Sequence, residues 1–156
     1  AGERGPFVDA TARASVIGLN RAHRFPDMVR AVIEGLGMAA RDCYLATGSL
    51  PDELRLTGGA ARSTALRRVL AASVGAPTRI ASREEAGAAG AAMMAAVAIG
   101  VYPDMAACIA EWVTPTLGAA EPNDPALTEI YARLYPSYRD ARLALAPVWS
   151  GLSKQE

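Results

Sequence analysis

Side chains that bind metals or act in covalent catalysis are scarce in this sequence. His23 is the only histidine, and the two cysteines, Cys43 and Cys108, stand alone in apolar stretches. Neither cysteine has a partner at the spacing of zinc ligands, which argues against a zinc site. We interpret both cysteines as small apolar core residues and His23 as a loop residue. Unpaired cysteines also favour a reducing, cytoplasmic setting.

The sequence has no excess of either charge and no long apolar run. Lys plus Arg and Asp plus Glu number 16 each, so broad nucleic-acid binding, which needs a basic surface, is not expected. One small anion site made from backbone N–H groups remains possible, because it needs no net charge. The most apolar stretch, 86–101, is mostly Ala and Gly and is shorter than the roughly 20 residues of a membrane span. The first residues also lack the apolar core of a signal peptide.

Aromatic residues make up only 6% of the chain, whereas hydrophobic residues make up 51% and charged residues 21%. This composition is typical of a globular protein, and 156 residues suit one domain with one core. Frequent alanine and few rings favour closely packed helices over a core built from aromatic side chains.

Apolar periodicity and turn residues predict an alternation of helices and strands. In chain order we expect an irregular or hairpin segment at 1–24, a helix from Pro26 to about 44, a strand at 53–57, a helix ending at Gly75, a strand at 78–81, a helix to about 100, a helix from Pro103, a loop at 114–125, and a helix at 126–145 broken at Pro136. This order is α/β. Two parallel strands are a poor independent core. We therefore expect the missing strands to lie upstream, in a longer protein.

The helix that follows the second strand has two unusual features. Ser82 and Glu85 have the spacing of a capping box, which explains Glu85 more simply than a ligand does. Small residues on every side of this helix predict burial on more than one face. Gly87 and Gly90 each cost about 1 kcal/mol relative to alanine. Both indicate a close approach by another backbone or a ligand, and helix–sheet packing is the simpler cause.

Catalytic groups cannot be recognised in the chain. A single histidine and no paired carboxylates give neither a triad nor a dyad. We interpret Asp9 as a loop residue, Asp27 as a charge at a helix N-terminus and Asp42 as a solvated helix position. The sequence therefore predicts no catalytic and no metal-binding residue here.

The segment 54–63 predicts a strand that enters a glycine turn and then a helix. Gly58 and Gly59 permit positive φ and carry no Cβ that could obstruct a ligand, while Ala60 and Ala61 keep the approach open. The helix that starts near Ser63 offers unpaired N–H groups, and its dipole favours an anion. A plain turn followed by a serine cap explains the same residues, so the turn alone leaves both interpretations open.

Three stretches, in one order, resemble the C-terminal domain of the FGGY family of carbohydrate kinases. The resemblance covers residues 1–113. Its stretches are Gly2-Glu3-Arg4-Gly5-Pro6-Phe7 with Asp9-Ala10-Thr11-Ala12-Arg13; Ala14-Ser15-Val16-Ile17-Gly18-Leu19 followed after seven residues by Asp27-Met28-Val29-Arg30-Ala31-Val32-Ile33-Glu34; and the turn 58–63 with Glu85-Ala86-Gly87-Ala88-Ala89-Gly90-Ala91-Ala92. Ala60 stands where the family usually has a third glycine, and Ala89 where it usually has leucine. Among members, the turn and the Ala-rich helix look most like those of erythritol or L-xylulose kinases.

The resemblance implies a fold, an activity and a site. The fold is part of an actin-like, ribonuclease-H-like ATPase lobe, with 1–113 as the C-terminal part of the nucleotide-binding lobe and 114–156 as its loop and helical extension. The activity is phosphoryl transfer from ATP, with Mg²⁺, to a sugar or polyol. Gly58, Gly59, Ala60 and Ser63 line the ribose and adenine side of ATP, and helix 84–100 packs beside that pocket. The family's catalytic aspartate and phosphate loops match no position here, so we expect no kinase activity from this chain alone.

Two further expectations concern assembly and the alternative function. The open sheet edge favours pairing with another chain and hence a homo-oligomer or a marginally stable fragment. The alternative to a kinase part is a non-catalytic, nucleotide-responsive regulatory or assembly module. A longer gene with an aspartate upstream of Ala1 favours the kinase, whereas a natural start codon close to Ala1 favours the module.

Overall fold

The structure is a computed structural model that describes residues 2–83 and 85–154, apart from the side chain of Ala60. The elements, in chain order, are helix α1 (Phe25–Ala46), strand β1 (Leu54–Leu56), helix α2 (Gly58–Arg62), helix α3 (Thr64–Val74), strand β2 (Thr78–Ile80), helix α4 (Ala86–Ala98), helix α5 (Met105–Trp112), a 3-10 turn (Thr114–Thr116) and helix α6 (Pro125–Ser153). Helices surround a short sheet, as the α/β prediction requires.

Strands β1 and β2 pair in parallel, with Leu54 opposite Thr78 and Leu56 opposite Ile80. The strands were predicted, but the loop expected at 114–125 does more than connect helices. Glu121 donates its N–H to Thr78 O at 2.7 Å and accepts from Thr78 N at 2.9 Å. A second antiparallel bridge joins Ala81 to Leu117. The chain therefore covers the free edge of β2 with a segment that has the composition of a loop, because an unpaired strand edge favours added backbone hydrogen bonds.

Helices α1, α3 and α6 pack together over the larger core cluster. Met38, Val69, Ala72 and Tyr131 are buried where the three helices meet. Gly37 lets α1 approach α3, since a Cβ built there would lie 2.9 Å from Val69 Cγ1 and closer still to Ser73 Oγ. The Ala/Gly-rich helix packing expected from the composition thus occurs at this crossing. A smaller cluster of Leu54, Val74 and Ala76 links the sheet to α3.

Helix α6 is continuous, so the break predicted at Pro136 is wrong, and a second proline, Pro147, also lies inside it. Each proline removes one backbone donor and crowds the preceding turn. Side-chain anchors on both sides of Pro136 favour continuity: Tyr131 is 1% exposed, and the ring of Trp149 stacks on Phe7 at 6.4 Å. The helix, expected to end near residue 145, continues as far as Ser153.

Asp42 is not a solvated helix position, which corrects a second expectation. Its side chain is 8% exposed and forms an ion pair with Arg142 of α6 at 3.1 Å. The hydroxyl of Tyr135 donates to its other carboxylate oxygen. Burial, and then the hydrogen bond to Asp42, raise the pKa of Tyr135 to about 12. The partners of Asp42 lie on α6, too far along the sequence for helix periodicity to reveal them.

Helix α4 differs most from expectation. Glu85, not Ser82, occupies the N-cap position, and no side-chain cap bond forms there, so the capping-box prediction is wrong; Glu84 lies outside the described residues. Met93 is the one buried residue that the helix contributes within the described chain, so burial on several faces is also wrong. No atom of another element lies within 4 Å of a Cβ built at Gly87 or Gly90, so the helix–sheet packing expected from these glycines is absent. Both border open space instead.

Candidate nucleotide-binding turn

Strand β1 leads directly into the glycine turn. Thr57 is the N-cap of α2 in an extended conformation, and its hydroxyl donates to Arg83 O at 2.9 Å. Gly58 follows with φ +67°, whereas Gly59 does not have positive φ. Only the first glycine is therefore required by the backbone, because non-glycine residues rarely adopt that conformation.

Gly59 has a different reason to be small. It lies in α2, is exposed, and no atom lies within 4 Å of a Cβ built on it. Helix α2 therefore presents a bare backbone to solvent at this position, and its first N–H groups have no partner within the helix. A ligand can approach this part of the turn without displacing any protein atom.

Ser63 joins α2 to α3 and serves both helices. It is the C-cap of α2 and the N-cap of α3, and its Oγ accepts from Leu66 N at 3.3 Å. The cap bond uses the hydroxyl as an acceptor, so its proton can still be donated to a ligand. The predicted cap is thus present, and it is compatible with the predicted ligand contact.

The two alanines of the turn do not share the role expected of them. Ala61 is buried, with 8% of its surface exposed, so it packs against the protein and does not line the approach. Ala60 lies within α2, and its side chain is outside the described part of the structure. Of the four predicted site residues, the structure therefore describes the surroundings of Gly58, of Gly59 and of the Ser63 side chain.

Sequence reasoning missed Arg67, which contacts the turn from α3. Its Nη1 donates to Ala61 O at 2.6 Å. Its Nε and Nη2 donate to the two carboxylate oxygens of Glu121 at 2.9 and 3.2 Å. Glu121 lies far along the chain in a segment expected to be a loop, so no local pattern indicated this contact.

A groove lies near the turn, between α4 and α5. It has a volume of about 500 Å³, and Arg83, Gly87, Gly90 and Met93 are among its lining residues. Arg83 connects it with the turn, since its carbonyl accepts from Thr57 and its Nη2 donates to Trp112 O at 2.9 Å. The space left by Gly87 and Gly90 is therefore on the groove wall.

Metal-binding side chains do not cluster in the described ranges 2–83 and 85–154: no group of three or more His, Cys, Asp or Glu is placed to hold an ion. In the same ranges, no helix combines the length and apolarity that crossing a bilayer requires.

The turn presents small, neutral groups to a ligand, namely exposed backbone N–H groups and one hydroxyl. Such groups suit hydroxyl and ring-nitrogen contacts or a single anion, and they supply neither an acid nor a base.

Residues 1–99 match the family model of the C-terminal domain of FGGY carbohydrate kinases. The chain belongs to the FGGY family. The resemblance predicted from the three stretches is thereby confirmed. Among curated FGGY relatives, an erythritol kinase of Brucella abortus is 66% identical over 153 residues, covering 98% of this chain and 29% of that protein. A glycerol kinase of Streptococcus pyogenes serotype M6 is 32% identical over 130 residues, covering 81% of this chain and 26% of that protein.

Solved structures of FGGY kinases confirm the fold. A ligand-bound xylulose kinase from Lactobacillus acidophilus superimposes with a TM-score of 0.83 at 29% identity, covering 97% of this chain and 31% of that one. The helices and the short sheet therefore correspond to part of the actin-like lobe that the resemblance implied. The chain spans less than a third of the length of each of these relatives.

Proposed function

We propose that this chain is the C-terminal, adenosine-binding part of an ATP-dependent carbohydrate or polyol kinase. The observation that carries the proposal is the turn at 58–63, where Gly59 leaves a bare exposed backbone beside the capping hydroxyl of Ser63. The chain that carries this turn belongs to the FGGY family. The whole kinase transfers the γ-phosphoryl group of ATP to a hydroxyl of its substrate.

The turn suits the adenosine end of ATP better than the triphosphate. Gly58 and Gly59 admit a flat or bulky group against the backbone, and Ser63 donates one hydrogen bond. Arg67 does not add a cation for the phosphates, since its guanidinium is paired with Glu121 and its side chain is 13% exposed. We therefore propose Gly58, Gly59, Ala60 and Ser63 as contacts of the ribose and adenine.

The chain is proposed to contribute no catalytic group of its own. Phosphoryl transfer depends on positioning and on neutralising the phosphate charge with metal and cationic groups. Mg²⁺ accompanies ATP in the whole kinase, but the described residues offer no carboxylate cluster to hold it, so no residue here is assigned to the metal. The 156-residue chain by itself is expected to bind the nucleotide without phosphorylating a polyol.

Erythritol is the acceptor that we propose for the whole kinase. The support is the 66% identity with the erythritol kinase of Brucella abortus, twice that with the glycerol kinase. The residues that select the acceptor are proposed to lie outside this chain. ATP and ADP and the polyol are then the partners, and a balanced surface charge gives no support for nucleic acid.

We also propose three points on organisation. Residues 1–113 are proposed as the C-terminal part of the nucleotide-binding lobe and 114–156 as a loop and helical extension of that lobe. The two free cysteines are in keeping with a cytoplasmic enzyme. Exposed apolar side chains along α1, such as Phe25 and Val32, are in keeping with a homo-oligomer.

Titration with nucleotides tests the adenosine site. The ¹⁵N-labelled chain is titrated with ADP, with adenosine and with inorganic triphosphate while the backbone amide signals are followed. ADP and adenosine are expected to shift the amides of Gly58, Gly59 and Ser63, and triphosphate alone is not. Shifts confined to triphosphate, or no shift at saturating ADP, would contradict the proposal.

A chimera tests whether this chain can serve as part of an active kinase. The matching 153 residues of the Brucella erythritol kinase are replaced by those of this chain, and ATP-dependent phosphorylation is measured with erythritol and with glycerol. The chimera is expected to phosphorylate erythritol, and a Gly59→Val version, with a side chain in the open part of the turn, is expected to raise KM for ATP. A folded chimera without activity would argue for a non-catalytic module.

A further inference from the structure

Helix α2 is too short to hold its own position. It has five residues, whereas nucleating a helix costs free energy that only several further turns recover. The last carbonyls of such a helix also lack partners within it. The turn that carries Gly58 and Gly59 must therefore be held by groups outside α2.

Arg67 supplies the contact at the carbonyl end of α2. Its Nη1 donates to Ala61 O at 2.6 Å, and an arginine that binds a late helix carbonyl also complements the helix dipole. The Arg67 side chain is 13% exposed, so water competes weakly for this bond. The backbone of Arg67 is fixed as well, because its N–H donates to Ser63 O at 3.0 Å.

Glu121 fixes the orientation of the guanidinium. The carboxylate accepts from Nε and Nη2 of Arg67 at 2.9 and 3.2 Å, which is the two-pronged geometry that sets the plane of an arginine most firmly. Glu121 is itself held by two backbone hydrogen bonds to Thr78. Thr78 pairs with Leu54 of β1, the strand that leads into the turn.

These contacts connect both ends of the turn through the sheet. β1 fixes the backbone that leads into Gly58. β2, Glu121 and Arg67 together fix the backbone at Ala61. We propose that Arg67 is a positioning residue for the nucleotide, which acts by fixing α2 relative to the sheet so that Gly58 and Gly59 face the adenosine. This inference rests on the proposed adenosine site and adds the residue that orients it. Glu121 acts through Arg67 in the same way.

Variants at Arg67 are compared with a matched control at the neighbouring position. Arg68 also lies on α3, but its ion pair with Asp124 is longer, at 3.7 Å, and its side chain is 66% exposed. In the ¹⁵N-labelled chain, Arg67→Gln is expected to raise the Kd for ADP roughly tenfold, the loss of one charged hydrogen-bond network. Arg67→Lys keeps the charge but cannot make the two-pronged contact with Glu121, so it is expected to recover only part of the affinity, whereas Arg68→Gln is expected to leave the affinity of the wild type unchanged.

Two readouts separate positioning from a general effect on folding. Hydrogen exchange at amides 61 and 62, in the last part of α2, is expected to quicken in Arg67→Gln while exchange in α1 and α6 stays as in the wild type. The ADP-induced shift of the Gly59 amide is expected to shrink in parallel. If Arg67→Gln does not fold, Glu121→Gln, which preserves the size of the side chain and removes the ion pair, decides in the same way.

The outcomes distinguish this inference from the proposed function. If the wild type binds ADP and Arg67→Gln binds it equally well, positioning by Arg67 is wrong and the adenosine site stands. If the wild type binds no ADP, the proposed function fails, and exchange alone decides whether Arg67 holds the turn. Unchanged exchange at amides 61 and 62 in Arg67→Gln overturns the inference in either case.

Discussion

Asp42 of α1 and Arg142 of α6 form an ion pair of 3.1 Å that is largely withdrawn from solvent. The pair has apolar and aromatic surroundings: the Arg142 guanidinium lies 4.5 Å above the ring of Phe7, and Tyr135 donates to the same carboxylate. A single acidic side chain thus connects the N-terminal segment, α1 and α6. Removing it would leave the guanidinium in a site with little water to replace its partner.

Asp42→Ala is expected to lower the free energy of unfolding by about 3 kcal/mol, because breaking a buried pair leaves an uncompensated charge. Urea denaturation followed by circular dichroism measures the loss. Asp140→Ala is the control, since its pair with Arg139 is exposed and is worth under about 1 kcal/mol. Adding Arg142→Met to Asp42→Ala is expected to recover part of the loss. Equal effects of the two alanine substitutions would show that the buried pair contributes nothing special.

The glycines of the turn are expected to respond in opposite ways to alanine. Gly58→Ala places a Cβ at φ +67° and is expected to destabilise the protein by about 1 kcal/mol. Gly59→Ala meets open space, so its stability stays equal or rises slightly through helix propensity, while the Cβ obstructs the approach of ADP. Thermal unfolding and ADP titration measure the two effects.

Gly35→Ala is the matched control for Gly59→Ala. Gly35 also lies inside a helix, without positive φ and with no atom within 4 Å of a built Cβ, but it is in α1 and outside the turn. It is expected to raise stability in the same way and to leave ADP binding unchanged. An equal loss of ADP affinity in both variants would exclude a specific role for Gly59.

The fold could be predicted where its signals are local. Pro26 and Asp27 lie in the first turn of α1, and Gly75 ends α3 with φ +81°, as their backbone preferences require. The break at Pro136 was wrong because contacts of α6 with distant segments outweigh the local preference of proline. The exposure of α4 was missed for a related reason, since composition reports how apolar a helix is but does not identify what covers it.

The candidate site, like the fold, could be predicted only where its signals are local. Gly58 and Ser63 could be predicted from what a glycine and a serine do between a strand and a helix, and the structure places both as expected. Arg67 could not, because its partner Glu121 lies 54 positions away. Local chemistry thus predicted the turn and its cap, whereas only the three-dimensional structure shows that Arg67 contacts them.

Stability is expected to fall above pH 10, in part because of Tyr131 and Tyr135. Burial raises the pKa of each to about 12, from the ordinary value of about 10. The contribution of each neutral hydroxyl is complete below pH 10 and is lost as the pH rises from about 10 to about 12, because the unfolded chain loses its proton first. Urea denaturation at several pH values measures the slope. Tyr135→Phe is expected to flatten it, and a slope identical to that of the wild type would contradict the shifted pKa.

The exposed side of α1 is expected to make the isolated chain self-associate. Phe25, Val29, Val32 and Leu36 follow one another at helical spacing and are 44–72% exposed, which forms an apolar stripe that water disfavours. A glutamate at its centre, in Val32→Glu, is expected to shift the sedimentation profile towards the monomer without loss of helix content. Ala31→Glu introduces the same charge off the stripe and is expected to leave the profile unchanged. A wild-type chain that sediments as one monomeric species at every concentration would show that the stripe does not drive association between copies of this chain.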